Sequence, residues 1–153
     1  MDAPVTYRPM EAEEAPAVCR LVGRIFNEFV APAYPPEGAR EFLKYVEPAQ
    51  LIGRLQNNHS TFVAESHGRI VGMVEARNGD HISLLFVEPG EQRKGIARGL
   101  MRQIIAMHHC RRLTVHSSPN ALPAYVQLGF KPDGQEQIEH GIRFIPMTWS
   151  SGK

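Results

Sequence analysis

Apolar residues recur at Val18, Leu21, Val22, Ile25, Phe26 and Phe29, three and four positions apart, which is the spacing of one buried helix face. This predicted helix opens on Glu11-Ala-Glu-Glu, an acidic first turn that the helix dipole favours. Pro32, Pro35 and Pro36 stop it. Before it, Val5 to Arg8 reads as a short extended segment ended by Pro9. A second helical stretch, from about Glu37 to Leu55, turns Phe42, Leu43, Val46, Leu51 and Leu55 inward, and Pro48 is expected to divide it.

The period then changes to that of strands. Thr61-Phe-Val-Ala-Glu, Ile70-Val-Gly-Met-Val-Glu-Ala and His81 to Val87 read as an antiparallel meander, with turns at Ser66-His-Gly-Arg and Asn78-Gly79-Asp80. The third strand is almost wholly apolar beyond Ser83, which predicts a central position. Strict alternation puts His81, Ser83, Leu85 and Val87 on one face of it. Gly95 to His109 returns to helical spacing, with Ile96, Leu100, Ile104 and Met107 in line. Leu113-Thr-Val-His is a short strand. Pro119 to Leu128 follows as a short helix, with Ser118 at its N-cap, Pro123 as a kink and Gly129 as its stop. Phe130 to Pro132 and Ile142 to Trp149 are closing strands. The order is β-α-α-β-β-β-α-β-α-β-β: an α/β fold on a mixed, mostly antiparallel sheet flanked by helices, with residues 1–153 as a single domain.

Composition narrows the function classes. The 153 residues carry a net charge of +1 and are 42% hydrophobic, an ordinary balance for a globular protein and not that of a nucleic-acid binder. Cys19 and Cys110 have no CxxC partner and read as free thiols in a reducing compartment. No metal set is expected; the adjacent His108 and His109 cannot share one helix face. No apolar run reaches the roughly 18 residues of a membrane span, and the first residues lack a signal-peptide core. The expectation is a cytoplasmic protein.

Charge is neutral overall but not locally. Arg93, Lys94, Arg98, Arg102, Arg111 and Arg112 fall within 20 residues on and beside the Gly95–His109 helix, with no Asp or Glu among them. The first amides of a helix lack intrahelical acceptors and favour an anion over the N-terminus. Gly95 and Ala97 leave the backbone open to a pyrophosphate. The strand–loop–helix Val87-Glu-Pro-Gly-Glu-Gln92-Arg93-Lys94-Gly95-Ile96-Ala97-Arg98 lacks the Gly-Lys-Ser/Thr of a phosphate-binding Walker loop. The spacing of Gly95, Ala97 and Gly99 does not make a dinucleotide fingerprint.

Gln92-x-x-Gly95-x-Ala97 after a strand ending in Val-x-Pro resembles the acetyl-CoA signature of the GCN5-related N-acetyltransferases (GNAT family). The downstream Tyr125-Val-Gln-Leu-Gly-Phe130 resembles that family's second motif, and the order of elements is similar throughout. The resemblance implies acetyl-CoA as co-substrate and no metal. The amides of Arg93, Lys94, Gly95, Ile96, Ala97 and Arg98 would hold its pyrophosphate beside Gln92. The strand Leu85, Phe86, Val87 would pair with the pantetheine arm. The family often carries Asn where Ser118 stands, and Asn120 is the alternative amide.

Transfer to an amine requires a neutral nucleophile, because a lysine-like amine has a pKa of about 10.4. It also requires a donor to the oxyanion, such as a backbone amide near Phe86 and Val87, and a proton for the leaving thiolate. By the resemblance Tyr125 is the general acid; otherwise it is an aromatic packed between helix and sheet. His81 and Glu75 are the candidate bases, read alternatively as a solvated turn histidine and a solvated edge carboxylate. Ordered water is a third option. Glu28 is a candidate contact for a cationic acceptor, and Phe29, Tyr34 and Tyr45 are candidates to line the acceptor cleft. Small amines and peptide amines both remain open, and proteins of this resemblance are often homodimers. The competing readings are an acyl-CoA-binding regulatory module without turnover and a nucleotide-binding protein.

Overall fold

The computed structural model describes residues 4–92, 95–139 and 141–152. Among them the strands are β1 (Thr6–Pro9), β2 (His59–Ser66), β3 (Arg69–Arg77), β4 (His81–Val87), β5 (Arg112–Ser117), β6 (Lys131–Pro132), β7 (Gln137–Glu139) and β8 (Ile142–Ser150). The α-helices are α1 (Ala15–Ile25), α2 (Pro36–Tyr45), α3 (Pro48–Leu55), α4 (Ile96–His108) and α5 (Leu122–Gln127). The strands lie in the order β1-β2-β3-β4-β5-β8-β6, with β7 paired to the start of β8. Among the described pairs only β4 and β5 are parallel. That pair needs the crossover that α4 supplies.

The mixed, mostly antiparallel sheet with flanking helices is as expected, and the element order gains one helix and one strand. Pro48 does divide the second helical stretch, because its ring suits the first turn of a new helix and not an interior. Pro123 likewise sits in the first turn of α5 and causes no kink; a 3₁₀ turn, Pro119–Ala121, precedes it. Gln137–Glu139 is three exposed residues without an alternating apolar pattern, so only its pairing with β8 reveals it.

Each sheet face has its own core. On one face α4 and α5 cover Val74, Ala76, Ile82, Leu85, Val87 and Val115, using Ile96, Leu100 and Ile104. On the other, α1 to α3 cover Val63, Met73, Leu84 and Phe86, using Val18, Val22, Val46 and Leu51. Phe29 does not join them. α1 ends at Ile25 and continues as a π turn over Phe26–Val30, whose wider winding shifts Phe29 out of line and leaves it 48% exposed.

β4 departs from strict alternation. Leu84 pairs with Glu75 and Ile82 with Ala76, so Ser83 is an extra residue on β4, a β-bulge. Consequently Leu85 and Val87 face α4, whereas Ser83 turns to Glu75 and to the face carrying Leu84 and Phe86. The expected single face of His81, Ser83, Leu85 and Val87 is therefore corrected: the inserted residue switches the phase between Ser83 and Leu85.

Candidate active site

β4 and β5 pair only at His81 with Thr114 and Ile82 with Val115 among the described residues, and then separate. The bulge at Ser83 lies where that separation starts. The edges of Ser83–Val87 and His116–Ser117 thus flank an opening in the middle of the sheet, and the N-terminus of α4 follows immediately after β4.

Gly95 caps α4 with φ +79°, a left-handed conformation that glycine adopts without strain. Among the described residues no side chain caps this end. The first intrahelical bond runs from Gly99 N–H to the Gly95 carbonyl at 2.9 Å, so the amides of Ile96, Ala97 and Arg98 are those the helix itself does not use. Gln92 donates its side-chain amide to the Val87 carbonyl at 3.2 Å, folding the loop back on the strand end. Arg98 donates to the Gln127 carbonyl at 2.7 Å and ties α4 to the end of α5. Arg93 and Lys94 lie outside the described residues.

α5 carries Tyr125, half-buried against the α4-side core and edge-on to Phe130 at 5.4 Å between ring centroids. Burial pushes its phenol above the ordinary value, so it holds its proton at neutral pH. Ser118 is half-buried and its carbonyl accepts from Ser117 Oγ at 2.7 Å, while Asn120 is exposed.

His81 is half-buried, not a solvated turn residue. Its Nδ1 lies 2.8 Å from Thr114 Oγ1, and that hydroxyl is directed at the Asp80 carbonyl. With the Thr114 hydroxyl turned to Asp80 the proton sits on Nδ1 and Nε2 is the acceptor; with the hydroxyl turned to Nδ1 the tautomer reverses. Burial, with the charges of Arg77 and His116, pulls the His81 pKa down to about 4. His116 of β5 packs edge-on to His81 at 5.0 Å and stacks on Phe144 at 4.3 Å. Sequence reasoning missed His116. The alternation of Leu113-Thr-Val-His puts it on the face of Thr114, but only the β4–β5 register brings Thr114 beside His81.

Glu75 is not a solvated edge carboxylate. It is fully buried on β3 between the sheet and the helices. Its Oε1 accepts from Ser83 Oγ at 2.6 Å and Tyr45 Oη at 3.0 Å, and its Oε2 from Arg54 Nε at 2.8 Å. Tyr45 is thus engaged with Glu75, and Glu28 is exposed on the π turn.

α2 crosses the α1-side face from β4 toward β8. Its Phe42 ring lies 5.9 Å from Phe86 and stacks on Phe26 at 4.0 Å. At its other end Gly38 faces Ile142: a Cβ there would stand 3.0 Å from Ile142 Cγ1. Tyr34, just before α2, meets the edge of Phe26 at 5.2 Å. Among the described residues no group of three or more His, Cys, Asp or Glu side chains is arranged to hold a metal, and no helix is long and apolar enough to cross a membrane.

The family model for the acetyltransferase (GNAT) domain matches residues 30–151. The chain belongs to the GNAT acetyltransferase family. As a GNAT enzyme it is an N-acetyltransferase. Its fold is shared with a GCN5-related N-acetyltransferase from Rhodopseudomonas palustris at TM-score 0.78 and 21% identity, covering 98% of each chain. A PaiA N-acetyltransferase from Thermoplasma acidophilum, solved with coenzyme A, matches at TM-score 0.80 and 14% identity over 96% of this chain and 99% of that one. A spermidine N-acetyltransferase SpeG–hSSAT chimera, with its SpeG part from Vibrio cholerae, matches at 0.66 and 19% over 95% of each. No curated protein matches the sequence significantly. Within this GNAT fold, the matched segment contains both the β4–α4 element and Tyr125.

Proposed function

We propose that residues 1–153 form one N-acetyltransferase domain that transfers an acetyl group from acetyl-CoA to the primary amine of a small molecule, by direct attack in a ternary complex. The observation that carries this reading is the opening between β4 and β5 beside the uncapped N-terminus of α4. A long ligand with a diphosphate at one end and an extended amide arm at the other fits those two features together. Acetyl-CoA is such a ligand, and the PaiA relative was solved with coenzyme A.

In this reading the amides of Arg93, Lys94, Gly95, Ile96, Ala97 and Arg98 hold the diphosphate, with Gln92 bracing the loop. Leu85, Phe86 and Val87 offer backbone to the pantetheine arm, and Ser118 and Asn120 contact it from the β5 side. Acetyl-CoA supplies the activated thioester; no metal takes part. A backbone amide at Phe86 or Val87 receives the developing oxyanion. Tyr125, protonated at neutral pH, gives its proton to the thiolate. Of the two candidate bases, the geometry favours His81. Its Nε2 has no hydrogen-bond partner among the described residues, whereas both carboxylate oxygens of Glu75 already accept hydrogen bonds. With a pKa near 4, His81 passes a proton onward and does not store it.

The crossing of α2 favours a small acceptor. The helix running from Phe86 to Ile142 is taken as the wall past which a slender amine would reach the opening. The spermidine enzyme among the relatives acts, by its name, on such a molecule. The two free cysteines, Cys19 and Cys110, fit a cytoplasmic setting.

The test is free-thiol release from acetyl-CoA across a panel of amines, with coenzyme A binding followed by calorimetry. Tyr125→Phe is expected to lose turnover and keep coenzyme A affinity; unchanged turnover removes Tyr125 as the acid. Coenzyme A binding without thiol release on any amine would favour the acyl-CoA-binding regulatory module, and tighter ATP than coenzyme A binding would sink both.

A further inference from the structure

The Ser83 bulge is held by a buried ionic cluster that stands outside the opening it borders. Glu75 pairs opposite Leu84 on the far side of β4 from β5. Ser83 Oγ donates to Glu75 Oε1 at 2.6 Å and lies 3.2 Å from the Glu75 carbonyl. The carboxylate is gripped from two helices: Tyr45 Oη ends α2, and Arg54 Nε comes from α3. Arg54 also donates Nη1 to the Tyr45 carbonyl at 2.6 Å and lies 3.5 Å over the Tyr45 ring.

Such a cluster is a poor device for stability alone. Desolvating a carboxylate and a guanidinium costs more than their attraction commonly returns, and well-packed apolar groups often do as well. The Arg54 Nη2 is buried with no hydrogen-bond partner among the described residues, which adds to that cost. What the cluster does provide is geometry. A bulge leaves one residue out of the ladder, and nothing in the ladder then fixes it. Here a charge-assisted hydrogen bond fixes it instead. The same cluster anchors the C-terminal end of α2, whose other end reaches β8.

We propose that Glu75, Arg54 and Tyr45 are positioning residues that hold the Ser83 bulge and thereby set the β4–β5 opening and the seat of α2 over it. The role in turnover rests on the acetyl-transfer reading above; the role in holding β4 does not. Glu75 acts through Ser83 and touches no reacting atom.

The experiment compares wild type with Ser83→Ala, Glu75→Gln, their double variant and Tyr45→Phe, which removes one hydroxyl from outside the strand. Amide hydrogen exchange over residues 83–87 is measured first, because it requires no activity. All four variants should exchange faster there, while α4 amides keep their protection. Turnover per folded molecule should fall about tenfold in each single variant, the rate equivalent of roughly 1.4 kcal/mol. The double variant should be no worse than the poorer single, because both remove one shared contact. The pH–rate profile should keep its acid limb in Glu75→Gln. Unchanged exchange at 83–87 overturns the proposal, as do multiplicative losses in the double variant. Loss of the acid limb would instead make Glu75 the base. Faster exchange in a protein that acetylates nothing would keep the positioning role and remove the acetyl-transfer reading. If Glu75→Gln fails to fold, Tyr45→Phe and Ser83→Ala decide alone.

Discussion

Gly99 lies one turn into α4, and the ring of Tyr7 from β1 rests directly on it. A Cβ at position 99 would collide with Tyr7 Cζ and Oη and stand only 2.6 Å from Cε1. Tyr7 is half-buried against the α4-side core, so swinging its ring away gives up part of that packing. Two terms therefore compete in Gly99→Ala. Overpacking of this kind costs about 1–3 kcal/mol. Alanine gains about 1 kcal/mol over glycine inside a helix. The net expectation is a loss of up to about 2 kcal/mol, near 2–4 °C per kcal/mol for a chain of this size. In a Tyr7→Ala background the collision is gone and only the helical gain remains, so the same substitution should stabilise by up to about 1 kcal/mol. Urea denaturation of the four proteins measures the coupling, expected at roughly 1–3 kcal/mol. Gly99→Ala should also weaken coenzyme A binding by tilting the first turn of α4, and the double variant should recover it. Equal effects of Gly99→Ala in both backgrounds would refute the packing argument.

Three further outcomes are expected. His81 has a pKa near 4 in the folded chain against about 6.5 unfolded. Its contribution to stability is complete above about pH 6.5 and lost as pH falls toward 4, because the unfolded chain binds a proton that the folded one excludes. Urea midpoints across that window should therefore flatten in His81→Gln, and an unchanged slope would contradict the assignment. Gly38→Val should push α2 off Ile142 and raise KM for the amine severalfold while leaving KM for acetyl-CoA alone; equal effects on both would place Gly38 outside the acceptor passage. Arg98→Ala should raise KM for acetyl-CoA and reduce its salt dependence, because one cation near the α4 N-terminus is removed; an unaltered salt slope would mean that Arg98 serves only its bond to Gln127.

The strand–turn–helix element from β4 to α4 was legible because it is local. Gly95 and the apolar strand before it need only their neighbours in sequence to define a strand, a turn and a helix start. The helices fared likewise, and Pro48 marked a real division because its ring excludes it from a helix interior. What could not be read depends on register. The bulge at Ser83 looks like simple alternation until the partners of Leu84 and Ile82 are known. That one residue moved Leu85 and Val87 to the α4 face and turned Ser83 toward Glu75. Glu75 read as a solvated edge residue because its partners, Tyr45, Arg54 and Ser83, lie 30, 21 and 8 positions away. His116 was invisible for the same reason, and Phe29 was misplaced because a π turn breaks the helical period.

The two halves of the site also differ in what can vary. Backbone amides at a helix start and a strand edge bind the same groups whatever side chains surround them, so a donor site of this kind tolerates wide sequence change. In the proposed reading, the acceptor side depends on pairs of remote side chains. α2 is anchored at one end by Tyr45 on the Ser83 bulge and at the other by Gly38 against Ile142. Those two contacts fix its height over β4, and neither lies in the motif that identifies the donor. Substitution at the Gly38 end would alter which amine enters, whereas substitution at the Tyr45 end would also loosen the strand proposed to face the acetyl-CoA arm. An amine panel is therefore most informative when it varies girth at constant charge. If the anchored helix sets the passage, branching next to the amine should abolish turnover before chain length does. If length dominates instead, the limit lies farther out, at the exposed Phe29 and the π turn that carries it.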